Sequence, residues 1–550
     1  MNEVSVLIGG KAGDGINSAG ALVAQLLNHS GYRVYLYFDY PSLIRGGHNF
    51  AIIRGAEQGI GTCREKVDFV LALTRETVER HRGMWHEGTA VVYNSGLVKG
   101  PGQGIPVKEI LSQEGAPDIM GNSVIIGAFA KAAGIPWETV TSVFMSHIPK
   151  GVELNLKLAR KGYDLLEPIH PVSRLSSPAL PLVTGNEAIG LGMVQGGLEA
   201  YVSYPMTPSS SLLHFLAEQK DRFGIQVVHP ENEIAVILMG IGFACAGKRA
   251  AVGTSGGGFC LMTEGLSFAG MAEIPLVLVV SQRTGPSTGL PTYTGQSDLR
   301  LVLHAGQGEF PRFIVAPGDV AEAVYWSAVA MNLAWKYQVP AFILTDKTLS
   351  EGTYSLDLPS PAGIPPGEFP RWDGSNAYRR YAYSPSGVSP LAFPGTKDAV
   401  VKVNSYAHDE SGITTEEGEV VALMTEKRLK KEQGLAAEMD RYLPVTVSGV
   451  AGSFSVLLCW GSTKGVCTEV GSALGLRVIQ PVVLSPFPKE QLKKALEGSK
   501  RIICVEENAT GQLEELARQH GINADTMILK YDGRPFTREE LERKVREVLP

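Results

Sequence analysis

Ile274-Pro275-Leu276-Val277-Leu278-Val279-Val280 runs directly into Ser281-Gln282-Arg283-Thr284-Gly285-Pro286-Ser287-Thr288-Gly289-Leu290-Pro291-Thr292. An apolar run without polar alternation fits a parallel strand covered on both faces. The segment after it gathers hydroxyls, glycines, prolines and one guanidinium at the strand's C-terminal end, where open α/β sheets bind ligands. A planar guanidinium there suits a carboxylate held by two hydrogen bonds. A structural loop with a surface arginine is the plainer alternative. Upstream, Ala250 to Val252 reads as a second such strand, and Thr254-Ser255-Gly256-Gly257-Gly258 after it lets a ligand or a facing chain reach the backbone.

Two more segments of this block carry chemistry. Tyr204-Pro205-Met206-Thr207-Pro208-Ser209-Ser210 follows the strand Tyr201 to Ser203, and its two prolines fix a turn able to present the Thr207 and Ser209 hydroxyls with free helix amides to an anion. An ordinary capped helix start is the competing reading. Glu231-Asn232-Glu233 lies between the strand Ile225 to Val228 and an apolar helix in which Ile234, Ile237, Leu238, Ile241 and Cys245 recur at helical spacing. A partly desolvated carboxylate at a helix start is tuned by its surroundings in either direction, although such a pair also serves as a capping box.

The same alternation extends both ways. Val4-Ser5-Val6-Leu7-Ile8, the loop Gly9 to Gly15, a helix from Ala19 to Leu27 and strands at Val34 to Phe38, Phe69 to Leu73 and Ala90 to Tyr93 predict an open α/β domain with a largely parallel sheet over residues 1–165. Residues 166–184 read as a Pro-rich linker and 185–355 as the second α/β domain. Residues 356–449 read as an extended Pro-rich excursion followed by a charged helical segment, whose charges are expected on a solvated face. Residues 450–550 read as a smaller third α/β domain, with strands Val456 to Trp460 and Arg501 to Glu506.

Composition narrows the function. The chain has 550 residues, 44% hydrophobic and 19% charged, which suits several packed domains. A net charge of −6 lacks the footprint of phosphate-backbone binding, so no nucleic-acid partner is expected. Apolar stretches such as Ala235 to Ala246 fall short of a bilayer span, and Met1 to Gly10 has no basic signal-type region, so a cytoplasmic protein without a membrane partner is expected. The cysteines at 63, 245, 260, 459, 467 and 504 form no C-x-x-C pair, and His48, His229 and His304 have no partner at ligand spacing. Buried reduced thiols and no metal site in this chain are the expectation. The loop Gly9 to Gly15 favours a tight turn or docking surface over nucleotide binding. Its Gly13-Asp14-Gly15 imitates the start of the G-D-G…N motif that holds Mg²⁺ and a diphosphate, but Asn28 is too near and Asn49 too far to complete it.

In this order, these segments resemble the fused γ–α subunit of the 2-oxoacid:ferredoxin (acceptor) oxidoreductases, the 2-oxoglutarate type in particular, over nearly the whole chain. The pieces are Gly9 to Gly15 with Arg45-Gly46-Gly47-His48, then Tyr204 to Ser210, Glu231 to Ala235, Thr254 to Phe259, and Gln282 to Thr292 with Gln296 and Asp298. Trp460-Gly461-Ser462-Thr463-Lys464-Gly465 and Val505 to Gln512 complete them. The resemblance implies an α/β fold of three open parallel-sheet domains: a γ-type Rossmann-like domain, a pyrimidine-binding domain for thiamine diphosphate (TPP) and a transketolase C-terminal-like domain. It implies coenzyme A-dependent, reversible oxidative decarboxylation of a 2-oxoacid, most simply 2-oxoglutarate, with electrons passed to ferredoxin.

The resemblance also implies that TPP is shared with a β subunit carrying the diphosphate motif, Mg²⁺ and a [4Fe–4S] cluster, so the chain is half of an active site. Glu233 matches the carboxylate that hydrogen-bonds the aminopyrimidine. Tyr204, Pro205, Thr254, Ser255 and Gly256 match cofactor-binding positions. Thr207 and Arg283 match catalytic positions beside the substrate, and Ser209, Ser287, Thr288 and Thr292 fall among substrate or coenzyme A contacts. Met206 replaces the commoner isoleucine and Asn232 the commoner aspartate, which bears on substrate preference. A non-catalytic assembly or regulatory subunit with the same fold is the alternative, and a self-sufficient decarboxylase is disfavoured by the missing diphosphate motif.

Overall fold

The structure is a computed structural model and describes residues 2–42, 47–358 and 364–549. Arg45 and Gly46 of the quoted motif, and part of the Pro-rich excursion, lie outside the described residues. The chain divides into two compact units. One is formed by residues 1–184, 351–357 and 536–544, the other by 185–350, 358–535 and 545–550. Three open sheets carry the α/β architecture.

The first unit holds an eight-stranded sheet in the order Gln103–Ile105, Trp85–Asn94, Val67–Ala72, Glu3–Lys11, His48–Ala56, Arg33–Asp39, Thr353–Ser355, Leu182–Thr184. Its first four strands are parallel and the rest antiparallel, which corrects the expectation of a largely parallel sheet. The difference lies in His48–Ala56, which inserts between the first two strands of the chain with Val6 opposite Ile53 and Leu36 opposite Ile53. Arg54 hides this strand from a hydrophobicity reading. Its side chain is buried yet satisfied, with Nε on Glu3 at 2.8 Å and Nη1 on the Thr62 carbonyl at 2.9 Å. The loop after the first strand is a self-bonded turn. The Lys11 N–H donates to the Asp14 carboxylate at 2.8 Å, and Asp14 N–H donates to the Lys11 carbonyl at 3.0 Å. Asp14 is thus engaged by its own loop.

The second unit holds a seven-stranded sheet in the order Val483–Ser485, Phe313–Val315, Pro340–Asp346, Leu276–Gln282, Ala250–Thr254, Ala200–Ser203, Gln226–Val228. All neighbours are parallel except the first pair. Every residue of Leu276–Gln282 is buried, as its unbroken apolar run demands. A five-stranded sheet follows, Val445–Gly449, Arg477–Pro481, Ser455–Leu458, Arg501–Glu506, Thr526–Leu529, with only the Val445–Gly449 pairing antiparallel. The strand Val483–Ser485 leaves this third sheet's connections to extend the second.

The described part of the excursion, 364–417, contains no helix or strand, and leads into the helix Gly418–Glu438. The charges of this helix form a solvated face only in part: Glu419, Glu426 and Glu432 are exposed, whereas Lys427, Arg428, Lys431 and Glu438 turn inward. Lys427 and Lys431 are almost fully buried on the Glu273 carboxylate, at 2.8 Å and 2.5 Å. Arg380 of the excursion donates to the Glu273 carbonyl at 2.7 Å. Burial alone raises a carboxyl's pKa, but Lys431, Lys427 and Arg380 overcome it and hold Glu273 well below the usual carboxylate range. Opposite charge on another element, invisible from the helix's own sequence, is what makes the burial tolerable.

None of the six cysteines forms a disulfide, and Cys245 is half-buried. Cys63, Cys459, Cys467 and Cys504 are buried, whereas Cys260 is exposed, against the expectation of uniformly buried thiols. Cys260 lies on the outward side of the helix Gly256–Met271. Among the described residues no helix is long and apolar enough to cross a membrane.

Candidate active site

Four adjacent parallel strands of the seven-stranded sheet end on one edge, and their C-terminal loops carry the four chemical motifs. Gln226–Val228 leads to Glu231-Asn232-Glu233. Ala200–Ser203 leads to Tyr204–Ser210, Ala250–Thr254 to the glycine triplet, and Leu276–Gln282 to Arg283–Thr292. Parallel pairing therefore does what sequence distance conceals: it gathers residues 204 to 298 at one sheet edge.

Asn232 caps the helix Glu233–Cys245, its side-chain oxygen accepting from the Ala235 N–H at 3.0 Å. Glu233 is thereby fixed at the first helical position, 3% exposed, and its Oε1 has no hydrogen-bond partner. A buried carboxylate oxygen without a donor is costly and uncommon outside functional sites. Gly258 makes room for it. A Cβ there would sit 2.6 Å from Glu233 Oε1 and would collide with Thr254 Oγ1, so only glycine lets the triplet pass this close. Gly256 plays the same part at the other end of the turn, where a Cβ would fall on the Asp298 carboxylate.

The Arg283 loop passes beside this turn, its Ser287 carbonyl 3.8 Å from where a Cβ on Gly257 would lie. Arg283 Nη1 donates to the Thr207 carbonyl at 2.9 Å, tying two of the four loops together. Its Nε is buried without a partner. Burial pushes the guanidinium's pKa down, and Asp298 opposes the shift. Asp298 responds in the other sense: burial pushes its carboxyl up to about 6, against the pull of Arg283. Ser255 Oγ and Thr292 Oγ1 are buried and also lack partners. Glu233, Ser255, Arg283 and Thr292 thus present one carboxylate oxygen, two hydroxyls and one guanidinium N–H that the chain itself leaves unused.

Other expected residues are placed differently. Ser209 is fully buried and its hydroxyl donates to the Met206 carbonyl at 3.0 Å, so it stabilises the turn rather than facing a ligand. Ser287 and Thr288 are exposed, with Ser287 at φ 53°. Tyr204 is half-buried with its ring 5.9 Å from that of His229, and Pro205 is exposed. Among the described residues no group of three or more His, Cys, Asp or Glu side chains is arranged to hold a metal ion.

Gln282, Gln296 and Asp298 carry structural weight that propensity cannot reveal. Gln282 Oε1 accepts from the Asp298 N–H at 2.9 Å. Gln296 reaches the third sheet, donating to the Trp460 carbonyl at 2.9 Å and accepting from the Glu507 N–H at 2.9 Å. Glu506 accepts from Trp460 Nε1 at 3.1 Å and from the Leu513 and Glu514 N–H groups at 2.9 and 3.1 Å, capping the helix Gln512–Gln519. The tryptophan and Glu-Glu-Asn motifs of the C-terminal block brace the active-site loop instead of entering it.

Residues 191–427 match the family described as pyruvate flavodoxin/ferredoxin oxidoreductase, thiamine diP-bdg, and residues 5–165 match pyruvate ferredoxin/flavodoxin oxidoreductase. The chain is similar to the 2-oxoacid:ferredoxin oxidoreductase subunit alpha of Saccharolobus solfataricus, 30% identical with 100% of this chain and 98% of the relative covered. It is 31% identical to the 2-oxoacid:ferredoxin oxidoreductase 2, subunit alpha, of Aeropyrum pernix, with 100% and 98% covered. Among solved structures, the 2-oxoglutarate:ferredoxin oxidoreductase from Magnetococcus marinus, with 2-oxoglutarate, coenzyme A and succinyl-CoA bound, superposes with a TM-score of 0.91 at 30% identity, covering 100% of this chain and 99% of that one.

Proposed function

Because the chain belongs to the 2-oxoacid:ferredoxin oxidoreductases as an alpha subunit of these TPP-dependent enzymes, we propose that it acts on 2-oxoglutarate, using Glu233 as the acid that serves the cofactor and Arg283 as the anchor of the substrate carboxylate. The observation that carries the reading is the buried, unpartnered oxygen of Glu233 at a turn no side chain can fill. A carboxylate held there fits the edge of an aminopyrimidine, which offers the donor Glu233 lacks. When bound, TPP supplies the nucleophilic carbon and the electron sink for loss of CO₂.

This chain's residues do the rest by position. Glu233 holds a proton at the aminopyrimidine nitrogen, and its rigid placement at a capped helix start means no reorganisation is needed. Ser255 and Gly256, at the start of the neighbouring helix, line the same cradle, with Thr254, Tyr204 and Pro205 behind and beside it. Arg283, pinned by the Thr207 carbonyl, orients the 2-oxoacid, and the Thr292 hydroxyl is a second donor. The similarity to the Magnetococcus marinus enzyme favours 2-oxoglutarate and coenzyme A as the substrate pair.

A β subunit supplying the diphosphate grip, Mg²⁺ and a [4Fe–4S] cluster completes the proposal. The helix Glu233–Cys245 supports it, since Ile234, Leu238 and Met239 leave 49%, 49% and 42% of their surface exposed beside the Glu233 position. The test is reconstitution with a β subunit, assaying 2-oxoglutarate, pyruvate and a branched-chain 2-oxoacid with coenzyme A and a one-electron acceptor. Fastest turnover of 2-oxoglutarate is expected; preference for another 2-oxoacid overturns the substrate assignment.

A further inference from the structure

Arg283 stands at the mouth of a loop closed on itself by hydrogen bonds. Leu290 N–H donates to the Thr284 carbonyl at 2.9 Å, Thr284 N–H to the Tyr293 carbonyl at 3.3 Å, and Thr284 Oγ1 to the Thr294 carbonyl at 2.6 Å. Residues 285–290, the outer part of the loop, are exposed, so no core holds them in place. Their support comes from far downstream in the same unit, from the turn Asp532-Gly533-Arg534. Thr294 N–H donates to the Gly533 carbonyl at 3.2 Å, and the Arg534 guanidinium lies over the Tyr293 ring, 3.8 Å from its centroid. Gly533 has φ 80°, in the left-handed region, and a Cβ there would lie 3.0 Å from Leu290 Cδ1 and 3.2 Å from Tyr293 Cβ. Glycine therefore lets the turn touch the loop. The turn is itself stiffened: Asp532 Oδ1 accepts from the Arg534 N–H at 2.9 Å, and Asp532 Oδ2 pairs with Lys530 at 3.1 Å.

We propose that the Asp532-Gly533-Arg534 turn is the seat of the Arg283 loop, and that Arg534 is a positioning residue for substrate binding, acting through Tyr293 on Arg283. The inference deepens the proposed function and rests on Arg283 holding the substrate carboxylate. Thr284, the residue after Arg283, is bonded to both Tyr293 and Thr294. The two residues that Gly533 and Arg534 hold are therefore the ones that fix the backbone next to the guanidinium. Beyond them Gln296 is buried and bonded to Trp460 and Glu507, which confines the freedom restrained by the seat to residues 284–293. With the seat intact, Arg283 waits in place for a carboxylate. With the seat weakened, part of the population has the loop displaced, and some of the substrate's binding energy goes into returning it. Apparent affinity then falls with the fraction seated, while the saturated complex, in which the loop is seated, reacts at its ordinary rate.

The test uses the complex assembled with its β subunit. KM and kcat for 2-oxoglutarate are measured for wild type, Arg534→Ala, Arg534→Lys and Gly533→Ala, and amide hydrogen exchange of residues 284–294 is followed in the same samples. A cation–π contact at an exposed ring corresponds to about a two- to fivefold change in an equilibrium. Arg534→Ala is therefore expected to raise KM about two- to fivefold with kcat within about twofold of wild type, and to speed exchange in 284–294 by a similar factor. Arg534→Lys keeps a cation over the ring and should recover most of the loss. Gly533→Ala forces a left-handed alanine against Leu290 and should raise KM about five- to thirtyfold. A fall in kcat at unchanged KM in Arg534→Ala marks a merely structural role and overturns the proposal, as does wild-type exchange in 284–294. Arg534→Ala alone decides if Gly533→Ala does not assemble. Arg283→Ala separates the two levels. Unchanged KM there overturns the Arg283 assignment and this proposal with it, whereas a raised KM there beside a wild-type KM in Arg534→Ala overturns this proposal alone.

Discussion

Gly258→Ala isolates the glycine triplet's role in placing Glu233. The added Cβ lies 2.6 Å from Glu233 Oε1, where real contacts start at about 3.0 Å or beyond, and it collides with Thr254 Oγ1 as well. Something must move by roughly half an ångström, and Glu233, fixed at a capped helix start, cannot yield without leaving its position. A displacement of about 1 Å at a reacting geometry costs about a hundredfold in rate, so a ten- to hundredfold fall in kcat is expected. Stability responds in two opposing ways. Alanine is a better helix former by about 0.5–1 kcal/mol, and overpacking costs about 1–3 kcal/mol, leaving a net loss of between about 0 and 2.5 kcal/mol. The assay is 2-oxoacid-dependent reduction of a one-electron acceptor by the reconstituted complex, beside a thermal melt of the same sample. Turnover within a factor of about two of wild type, with the melt unchanged, would refute the claim that this glycine exists to admit the carboxylate.

Glu273→Gln, measured at pH 6 where Lys431 still carries its proton, leaves the ammonium groups of Lys427 and Lys431 buried without a counter-charge and should destabilise the second unit by about 3–5 kcal/mol, read as a lowered denaturant midpoint. Lys431 is expected to make stability rise with pH. Burial pushes its pKa down to about 7 from 10.5, against the pull of Glu273, so between those values the unfolded chain binds a proton that the folded chain does not. Its contribution is up to about 1.4 kcal/mol per pH unit across that window, measured by urea melts at pH 7 to 9; a flat profile in wild type and Lys431→Met alike contradicts it. Thiol-reactive probes on the native protein should label Cys260 promptly and spare Cys459, Cys467 and Cys504, whose burial raises the pKa of the latter two. Fast labelling of all four thiols would show that the third sheet opens readily.

The apolar run ending at Val280 and the strands before the glycine triplet and Tyr204 were legible because strands buried on both faces leave no alternation to misread. The site was legible for a related reason. Residue types with few structural uses in combination, such as Pro-x-Thr-Pro and a glutamate after a capping asparagine, fall at strand ends. What stayed hidden was non-local. The strand His48–Ala56 contains Arg54, whose partner Glu3 lies about fifty residues upstream, so its charge reads as a solvent signal. Lys427 and Lys431 look like surface residues until Glu273 is brought to them. Ser209 looked available, yet a hydroxyl three residues after a carbonyl in a tight turn bonds back to it. Asp298 and Gln282 have no local signature, because their importance lies in what Gly256 and Arg283 place beside them.

Catalysis by this chain turns on Glu233 serving a cofactor gripped from another chain. The most direct test is acceptor reduction by the reconstituted complex bearing Glu233→Gln, with assembly confirmed by gel filtration. The amide keeps the shape and loses the charge, so turnover should disappear while the complex elutes as wild type does. Wild-type rates from that variant would contradict the account at its centre.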